Sequence, residues 1–252
     1  MRKNPVVSII ITYYKKRIFL NRTLSSIFNQ TYKNYELVFV YDDPDKTDLK
    51  FVKKKLKKFK NKKIIINKKN LGVANSRNIA LKFVKGSYLT FIDADDIWKK
   101  NKISKQIKFM MKNIYDFSFT SYSIIDENNK LIKHRIVNSD ANYKNLYKSN
   151  FIGLNTVMIN KRIFSLINFP NLITQEDFAL WLKLCRKGIK LRHMSDNLSS
   201  WRKTSNSLSS NSFQKLKDAY SLYYLFEKKN VIFSIYSVLV LSYNKILNNY
   251  FK

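Results

Sequence analysis

One cysteine, two histidines, three prolines and four glycines are all that this 252-residue chain holds of the residues that staple, ligate or interrupt a fold. The lone thiol, Cys185, closes no internal disulfide and fits a reducing compartment, and it removes any paired-cysteine metal site. It reads as a small core residue. His134 and His193 are too far apart in the chain to suggest a histidine dyad. His193 becomes a metal ligand only if the fold brings it near Asp95; otherwise it is an ordinary strand residue. So little Pro and Gly beside 45% hydrophobic residues excludes a disordered composition and leaves enough apolar side chain for a real core.

Long apolar runs are missing too. The longest late one, Val231 to Tyr243, falls short of the about 20 residues that a spanning helix needs. At the start, Met1-Arg2-Lys3-Asn4 and the apolar Val6 to Thr12 have the outline of a signal peptide. That segment is broken by Lys15-Lys16-Arg17 and carries no small-residue cleavage pattern, so a first buried strand is expected instead. These absences point to a cytoplasmic protein without a transmembrane span. Acid is also scarce, with 17 Asp and Glu against 48 Lys and Arg and a net charge of +31. Such a balance favours anionic partners, whether nucleic acid, an acidic membrane face or phosphorylated substrates, and selects none of them. Part of it accompanies a general abundance of Lys, Asn and Ile. The run Lys53-Lys54-Lys55, Lys57-Lys58, Lys60, Lys62-Lys63 reads as a solvated helix face or as a polybasic surface attracted to anionic membranes at roughly 1 kcal/mol per residue.

What is present is alternation. Val6 to Thr12, Glu36 to Tyr41, Ile64 to Ile66 and Tyr88 to Ile92 read as continuous β-branched or apolar strands. Between them, Ile18, Phe19, Leu24, Ile27 and Phe28, then Phe51, Val52, Leu56 and Phe59, then Val73 to Val84 have helical spacing. Such an order implies an α/β fold with a mainly parallel sheet covered on both faces. The second half is less regular: strands at Tyr115 to Ile125, Leu131 to Val137 and Thr156 to Ile159, then a helix at Glu176 to Arg186 ended by Gly188. A polar segment, Asp196 to Ser212, precedes two closing helices at Phe213 to Lys229 and Val231 to Tyr250.

Ligands of parallel sheets collect beyond the carboxyl ends of the strands. Thr12 to Tyr14, Asp42-Asp43 and Asp93 to Asp96 all stand at such ends and converge if their strands are neighbours. In Phe91-Ile92-Asp93-Ala94-Asp95-Asp96-Ile97-Trp98, Asp93 and Asp95 share one face of an extended chain and are candidate oxygen ligands for Mg or Mn. Asp95 or Asp96 alternatively caps a helix beginning near Ile97. Asp42 and Asp43 are candidate acceptors for a nucleoside or members of an ordinary acidic turn with Pro44 and Asp45. Glu176-Asp177 opens a helix, where the dipole favours acid; a general base is the other reading. Arg77 and Arg202 are candidate phosphate contacts or solvated surface charges.

Taken in order, Val7-Ser8-Ile9-Ile10-Ile11-Thr12-Tyr13-Tyr14, Leu24 to Tyr32, Tyr41-Asp42-Asp43, Asn70-Leu71-Gly72-Val73-Ala74-Asn75-Ser76-Arg77-Asn78, Gly86-Ser87-Tyr88 and Phe91 to Trp98 resemble family 2 glycosyltransferases. The likeness continues through Gln175-Glu176-Asp177-Phe178-Ala179-Leu180-Trp181-Leu182 and through Trp201-Arg202 with Ser205 to Asn211, which looks like the teichuronic-acid-type branch. It covers roughly residues 6 to 212. The resemblance implies a GT-A fold at 1–212, a nucleotide-sugar part at about 1–98 and an acceptor part at about 99–212, followed by a helical extension at 213–252. Thr12 and Tyr14 would line the nucleobase pocket and Asp43, with Asp42, would hold the base. Arg77 would support the donor site. Asp93 and Asp95 would hold Mn or Mg, and Asp177 would be the catalytic base. Trp201 and Arg202 would ride a mobile loop over the diphosphate or acceptor, with Glu176 on the acceptor side.

Two positions depart from the family pattern. Asp42-Asp43-Pro44-Asp45 replaces the usual Asp-Asp-Gly-Ser turn, and Thr204 stands where many relatives carry a histidine. The implied activity is inverting transfer from a nucleoside-diphosphate sugar, UDP first, to a hydroxyl of a saccharide or lipid-linked acceptor in bacterial surface polysaccharide synthesis. The implied location is the cytoplasm, including the cytoplasmic face of an anionic membrane, and oligomers are left open. Alternatives are a catalytically silent nucleotide-sugar-binding subunit and a basic nucleic-acid module; no nucleic-acid-binding motif is recognisable. The closing helices, with Tyr220, Tyr223, Tyr224, Phe226, Phe233, Tyr236 and Tyr243, either meet a membrane interface or complete the core.

Overall fold

The computed structural model describes residues 4–205, 207 and 211–250. Met1 to Lys3 of the leader-like start, Asn206 and Leu208 to Ser210 of the serine-rich motif, and the last two residues lie outside them. Strands β1 (Val7–Tyr13), β2 (Tyr35–Tyr41), β3 (Lys62–Ile66) and β4 (Tyr88–Asp93) alternate with helices α1 (Arg17–Phe28), α2 (Leu49–Leu56) and α3 (Gly72–Leu81). They pair in the order β3-β2-β1-β4, all parallel. Strands β1, β2 and β4 are buried on both faces, as their near-continuous apolar sequences require, whereas the edge strand β3 is only partly covered. Ile9, Ile11, Leu37 and Phe39 meet Leu20, Leu24, Val52 and Leu56 on one side. Ile10, Val38, Val40 and Phe91 meet Ala74 and Ala80 on the other.

After a two-residue strand, β5 (Ile97–Trp98), come α4 (Lys102–Asn113), β6 (Phe117–Ile125), β7 (Leu131–Arg135), α5 (Tyr143–Lys148), β8 (Met158–Asn160), α6 (Glu176–Arg186) and β9 (Leu191–Arg202). The sheet continues from β4 through β8, β6 and β9 to β5, with β7 on β6. Here antiparallel pairs alternate with the parallel β6/β9 pair, so the parallel expectation holds for the first four strands and gives way to a mixed sheet beyond them. Helix α7 (Ser212–Ser221), a π-helical turn (Leu222–Phe226) and α8 (Val231–Tyr250) close the chain.

Two expectations are corrected. No helix starts near Ile97: Ile97 and Trp98 pair with Ser200 and Ser199, and the helix begins at Lys102. The polar segment expected from Asp196 to Ser212 is, as far as Arg202, the second part of β9; Ser199 and Ser200 pair there with Tyr122 and Ser123 of β6 on one side and with Trp98 and Ile97 of β5 on the other. The lysine run does form the outer surface of α2 and the turn after it, with Lys53, Lys54, Lys57 and Lys58 exposed.

The junction of β1 and β4 depends on Gly86. A Cβ there would lie 2.6 Å from Ser8 Oγ, 2.7 Å from the Val6 carbonyl oxygen and 2.8 Å from the Ser8 nitrogen. Ser8 cannot swing aside, because its hydroxyl donates to buried Glu36, which also accepts from the Lys85 and Gly86 amides. Gly86→Ala is therefore expected to destabilise the fold by about 1–3 kcal/mol through overpacking. An unchanged urea midpoint would show that this junction has room.

Candidate active site

Register alone brings the expected residues together. Thr12 of β1 lies opposite Asp93 of β4 and opposite Val40 of β2, so the carboxyl ends of β2, β1 and β4 stand side by side. The acidic turn after β2 holds two buried carboxylates with different partners. Asp42 is buried, and its Oδ1 accepts from Asn67 Nδ2 at 2.7 Å and the Leu71 amide at 2.9 Å, tying β2 to the entrance of α3. Asp43 accepts from the Asp45 amide through Oδ1. Tyr14 stands exposed just beyond β1, with Lys15 over its ring.

The turn after β4 holds three carboxylates against two cations. Arg77 Nη2 donates to Asp93 at 2.8 Å and Lys16 Nζ reaches Asp95 Oδ2 at 2.8 Å. Burial raises Asp95, Lys16 opposes the rise and the charge of Asp93 adds to it. Asp96 is pushed well above its ordinary value by burial and then by Asp95 and Asp93. It does not cap a helix. Its Oδ2 accepts from Asn155 Nδ2 at 2.6 Å and its Oδ1 from the Arg202 amide at 2.9 Å, so it pins the end of β9 beneath the turn.

Among the described residues no three His, Cys, Asp or Glu side chains are grouped so as to hold an ion by themselves. Asp93, about a third exposed, and Asp95, with a half-buried ammonium seated on it, would be two oxygen donors of a site completed by substrate phosphates and water, as hard divalent cations prefer. Lys16 Nζ occupies the position of positive charge that Asp95 calls for. The residues present fit Mn or Mg.

A buried guanidinium joins this turn to α6. Arg77, on α3, gives Nη1 to Glu176 at 2.5 Å and Nη2 to Asp93, with Phe169 packed under its face. Arg77 is thus neither a solvated charge nor free to contact a phosphate; it fixes one acid on each side of the crevice. Glu176 is raised by burial and held back by Arg77. Next to it, the half-buried Asp177 is pushed up to about 7 by burial and by the charge of Glu176, against Arg77. Gln175, which precedes them, adopts φ 67°, a left-handed conformation that non-glycine residues rarely hold. The turn is anchored from outside: the Thr174 amide and hydroxyl both donate to Asp218 of α7, at 2.7 and 2.8 Å.

The sequence model of Glycosyl transferase family 2 matches residues 8–170. The chain belongs to glycosyltransferase family 2. The transferase is 33% identical over 221 residues to the putative teichuronic acid biosynthesis glycosyltransferase TuaG of Bacillus subtilis, covering 87% of each chain. It is 34% identical over 215 residues to the UDP-Glc:alpha-D-GlcNAc-diphosphoundecaprenol beta-1,3-glucosyltransferase WfgD of Escherichia coli, covering 84% of this chain and 83% of that one. Its fold is that of S. aureus TarS 1-349, solved with UDP-GlcNAc, at TM-score 0.72 and 20% identity over 92% of this chain and 70% of that one. The Pyrobaculum calidifontis mannosyltransferase PcManGT, solved with GDP-Man and Mn2+, matches at TM-score 0.67 and 12% identity over all of this chain and 77% of that one. The transferase thus has the GT-A architecture, a mixed sheet flanked by helices.

The mobile loop expected at Trp201-Arg202 is corrected in this transferase. Both residues end β9, Trp201 opposite Ile124 and Arg202 opposite Ile125. Arg202 is buried: Nε donates to the Asp95 carbonyl at 2.8 Å, Nη1 to the Asp126 carbonyl at 2.7 Å and Nη2 to Asn129 at 2.7 Å, with Phe19 below. A guanidinium so occupied shapes the acidic turn instead of reaching toward a diphosphate. Thr204, at the position of the missing histidine, accepts from the same Lys16 Nζ that holds Asp95. His193 sits near the far end of β9, its ring tilted at 48° against that of Phe119, and is no neighbour of Asp95. Sequence reasoning missed Lys16, Asn67, Asn155 and Asp218. All four act on a residue remote in the chain, and only Lys16, adjacent to the Thr12 to Tyr14 strand end, gave a local signal.

Proposed function

We propose that this transferase moves a sugar from a UDP-sugar to a hydroxyl of a saccharide or lipid-linked acceptor in bacterial surface polysaccharide synthesis, with metal dependence and inversion at the anomeric carbon. The observation that carries the reading is the Arg77 bridge, which sets the acids at the carboxyl end of β4 against the acids that open α6. Thr12, Tyr14 and Asp43 then serve the nucleoside and Asp93 and Asp95 the diphosphate side, while residues 99–212 supply the acceptor side. Asp177 accepts the proton of the acceptor hydroxyl as that oxygen attacks the anomeric carbon and the diphosphate leaves. A divalent ion at Asp93 and Asp95, when bound, supplies charge neutralisation for the leaving group. Lys16 is placed to exchange partners, retaining Thr204 when Asp95 is claimed by the ion. The names of TuaG and WfgD support the acceptor class, and the UDP-GlcNAc complex of TarS supports the donor nucleotide.

A thermal-shift panel of UDP, GDP and dTDP with and without Mn or Mg tests this. A ligand at 100 times its dissociation constant stabilises by about 2.7 kcal/mol. UDP should stabilise the protein only with the divalent ion present, and Asp95→Ala should remove that dependence. No shift with UDP and metal, or an undiminished shift in Asp95→Ala, overturns the assignment.

A further inference from the structure

Helix α8 is amphipathic in the reverse sense. Ser234 and Ser237 are buried against the protein, Ser237 meeting the Tyr147 hydroxyl at 2.8 Å, and Asn244 donates to the Lys148 carbonyl at 3.0 Å. Among the described residues, Val238 and Leu241 add apolar contact on that side. The outward side carries Ile232, Tyr236, Leu239, Tyr243 and Ile246, a stripe at helical spacing in which Ile232 is 79% and Leu239 63% exposed. Helix α7 extends it with Phe213, 79% exposed, and Leu216, and the turn between the helices adds Leu225. A helix that faces serine inward and isoleucine outward has its apolar partner outside the fold.

Charge identifies that partner. Residues 212–250 contain two acids, and both are buried and engaged: Asp218 with Thr174, Glu227 with Tyr143 and Arg186. The five lysines, Lys215, Lys217, Lys228, Lys229 and Lys245, retain solvent access. Lys215 and Lys245 crowd together with Lys203 and, among the described residues, have no carboxylate partner; burial and the charge of Lys245 push Lys215 down to about 8. A second copy of this chain would bring like charge onto the same face, whereas an anionic lipid surface relieves the crowding. A 20-residue helix is about 30 Å long, yet no described helix is long and apolar enough to cross a membrane, so α8 suits a position in the plane of the interface. Tyr236 and Tyr243 are amphipathic rings of the kind found at headgroup depth.

We propose that α7, the π-helical turn and α8 form a docking surface for an anionic phospholipid bilayer, with the apolar stripe at the headgroup boundary and the lysines on lipid phosphates. The inference deepens the proposed function by placing the transferase where a lipid-linked acceptor resides, but its observations are independent of the donor site. The bond between Asp218 and Thr174 makes the surface continuous with the turn before Glu176.

Flotation of the full chain with vesicles of phosphatidylcholine alone or mixed with phosphatidylglycerol tests it. The protein should rise with the mixed vesicles and be released by high salt. The double variant Ile232→Glu, Leu239→Glu should lose at least about tenfold in vesicle affinity. Both positions are exposed, so its melting temperature and its metal-dependent UDP shift should match the parent, which separates failure here from failure of the donor assignment. Three results would each overturn the docking surface: a chain that stays down with both vesicles, a variant that floats as well as the parent, or a parent dimer that the variant dissociates.

Discussion

Asp177→Asn should lower turnover by about 10²–10⁴-fold, the contribution typical of a positioned general base. UDP binding in the presence of metal should stay within about twofold of the parent, because the donor-side acids Asp43, Asp93 and Asp95 are untouched. The amide retains the shape of the carboxylate and can still accept the Phe178 amide that now meets Asp177 Oδ1 at 2.6 Å, so α6 keeps its start. Turnover within tenfold of the parent would remove Asp177 from the reaction. Loss of UDP binding together with turnover would make it a structural residue.

The same carboxyl predicts a pH dependence of defined sign. Burial and Glu176 hold it protonated up to about 7, and only the carboxylate accepts a proton. Activity should therefore climb with pH to a plateau above about 7. Stability runs the other way for this group: its folded pKa lies above the unfolded value, so the native state holds the extra proton between them. The stability contributed by that proton is complete at low pH and lost as pH rises through about 7. In Asp177→Asn the acid limb should disappear from whatever activity survives, which a stopped assay across pH 5 to 9 would read. A limb unchanged in the variant assigns it to another group.

Alternating runs gave away the first four strands and their helices, because a strand buried on both faces must be apolar throughout and a covering helix must repeat near 3.6 residues. Glu176 to Arg186 and Val231 to Tyr250 were legible with their observed ends. The second half of β9 was not. Ser199, Ser200 and Arg202 are polar in sequence, and what holds them in a strand is β6 on one side and the Asp96 carboxylate below, neither visible locally. Asp96 failed as a cap for the same reason: its partners, Asn155 and the Arg202 amide, lie far along the chain. In the candidate site the residue types were readable, but their division of labour was not. Asp42 and Asp43 are adjacent and identical in kind, and only the fold makes one a strut.

Arg77→Met should be the most destabilising change in the site, by about 3–5 kcal/mol, as expected when one member of a buried ion pair is removed and the other is stranded. Two carboxylates lose their partner at once, and Glu176 has little solvent to replace it. Arg77→Lys should recover little, since one ammonium cannot span two acids that a planar fork engages through separate nitrogens. The decisive comparison adds Glu176→Gln to Arg77→Met. Neutralising the stranded acid should restore more than half of the lost urea stability, so the double variant unfolds later than Arg77→Met alone. Additive losses, or a single variant within 1 kcal/mol of the parent, would mean that the bridge merely occupies space. Arg77→Met on its own should also move the acid limb of any surviving activity to higher pH, because the guanidinium opposes the rise of Asp177 that burial and Glu176 cause.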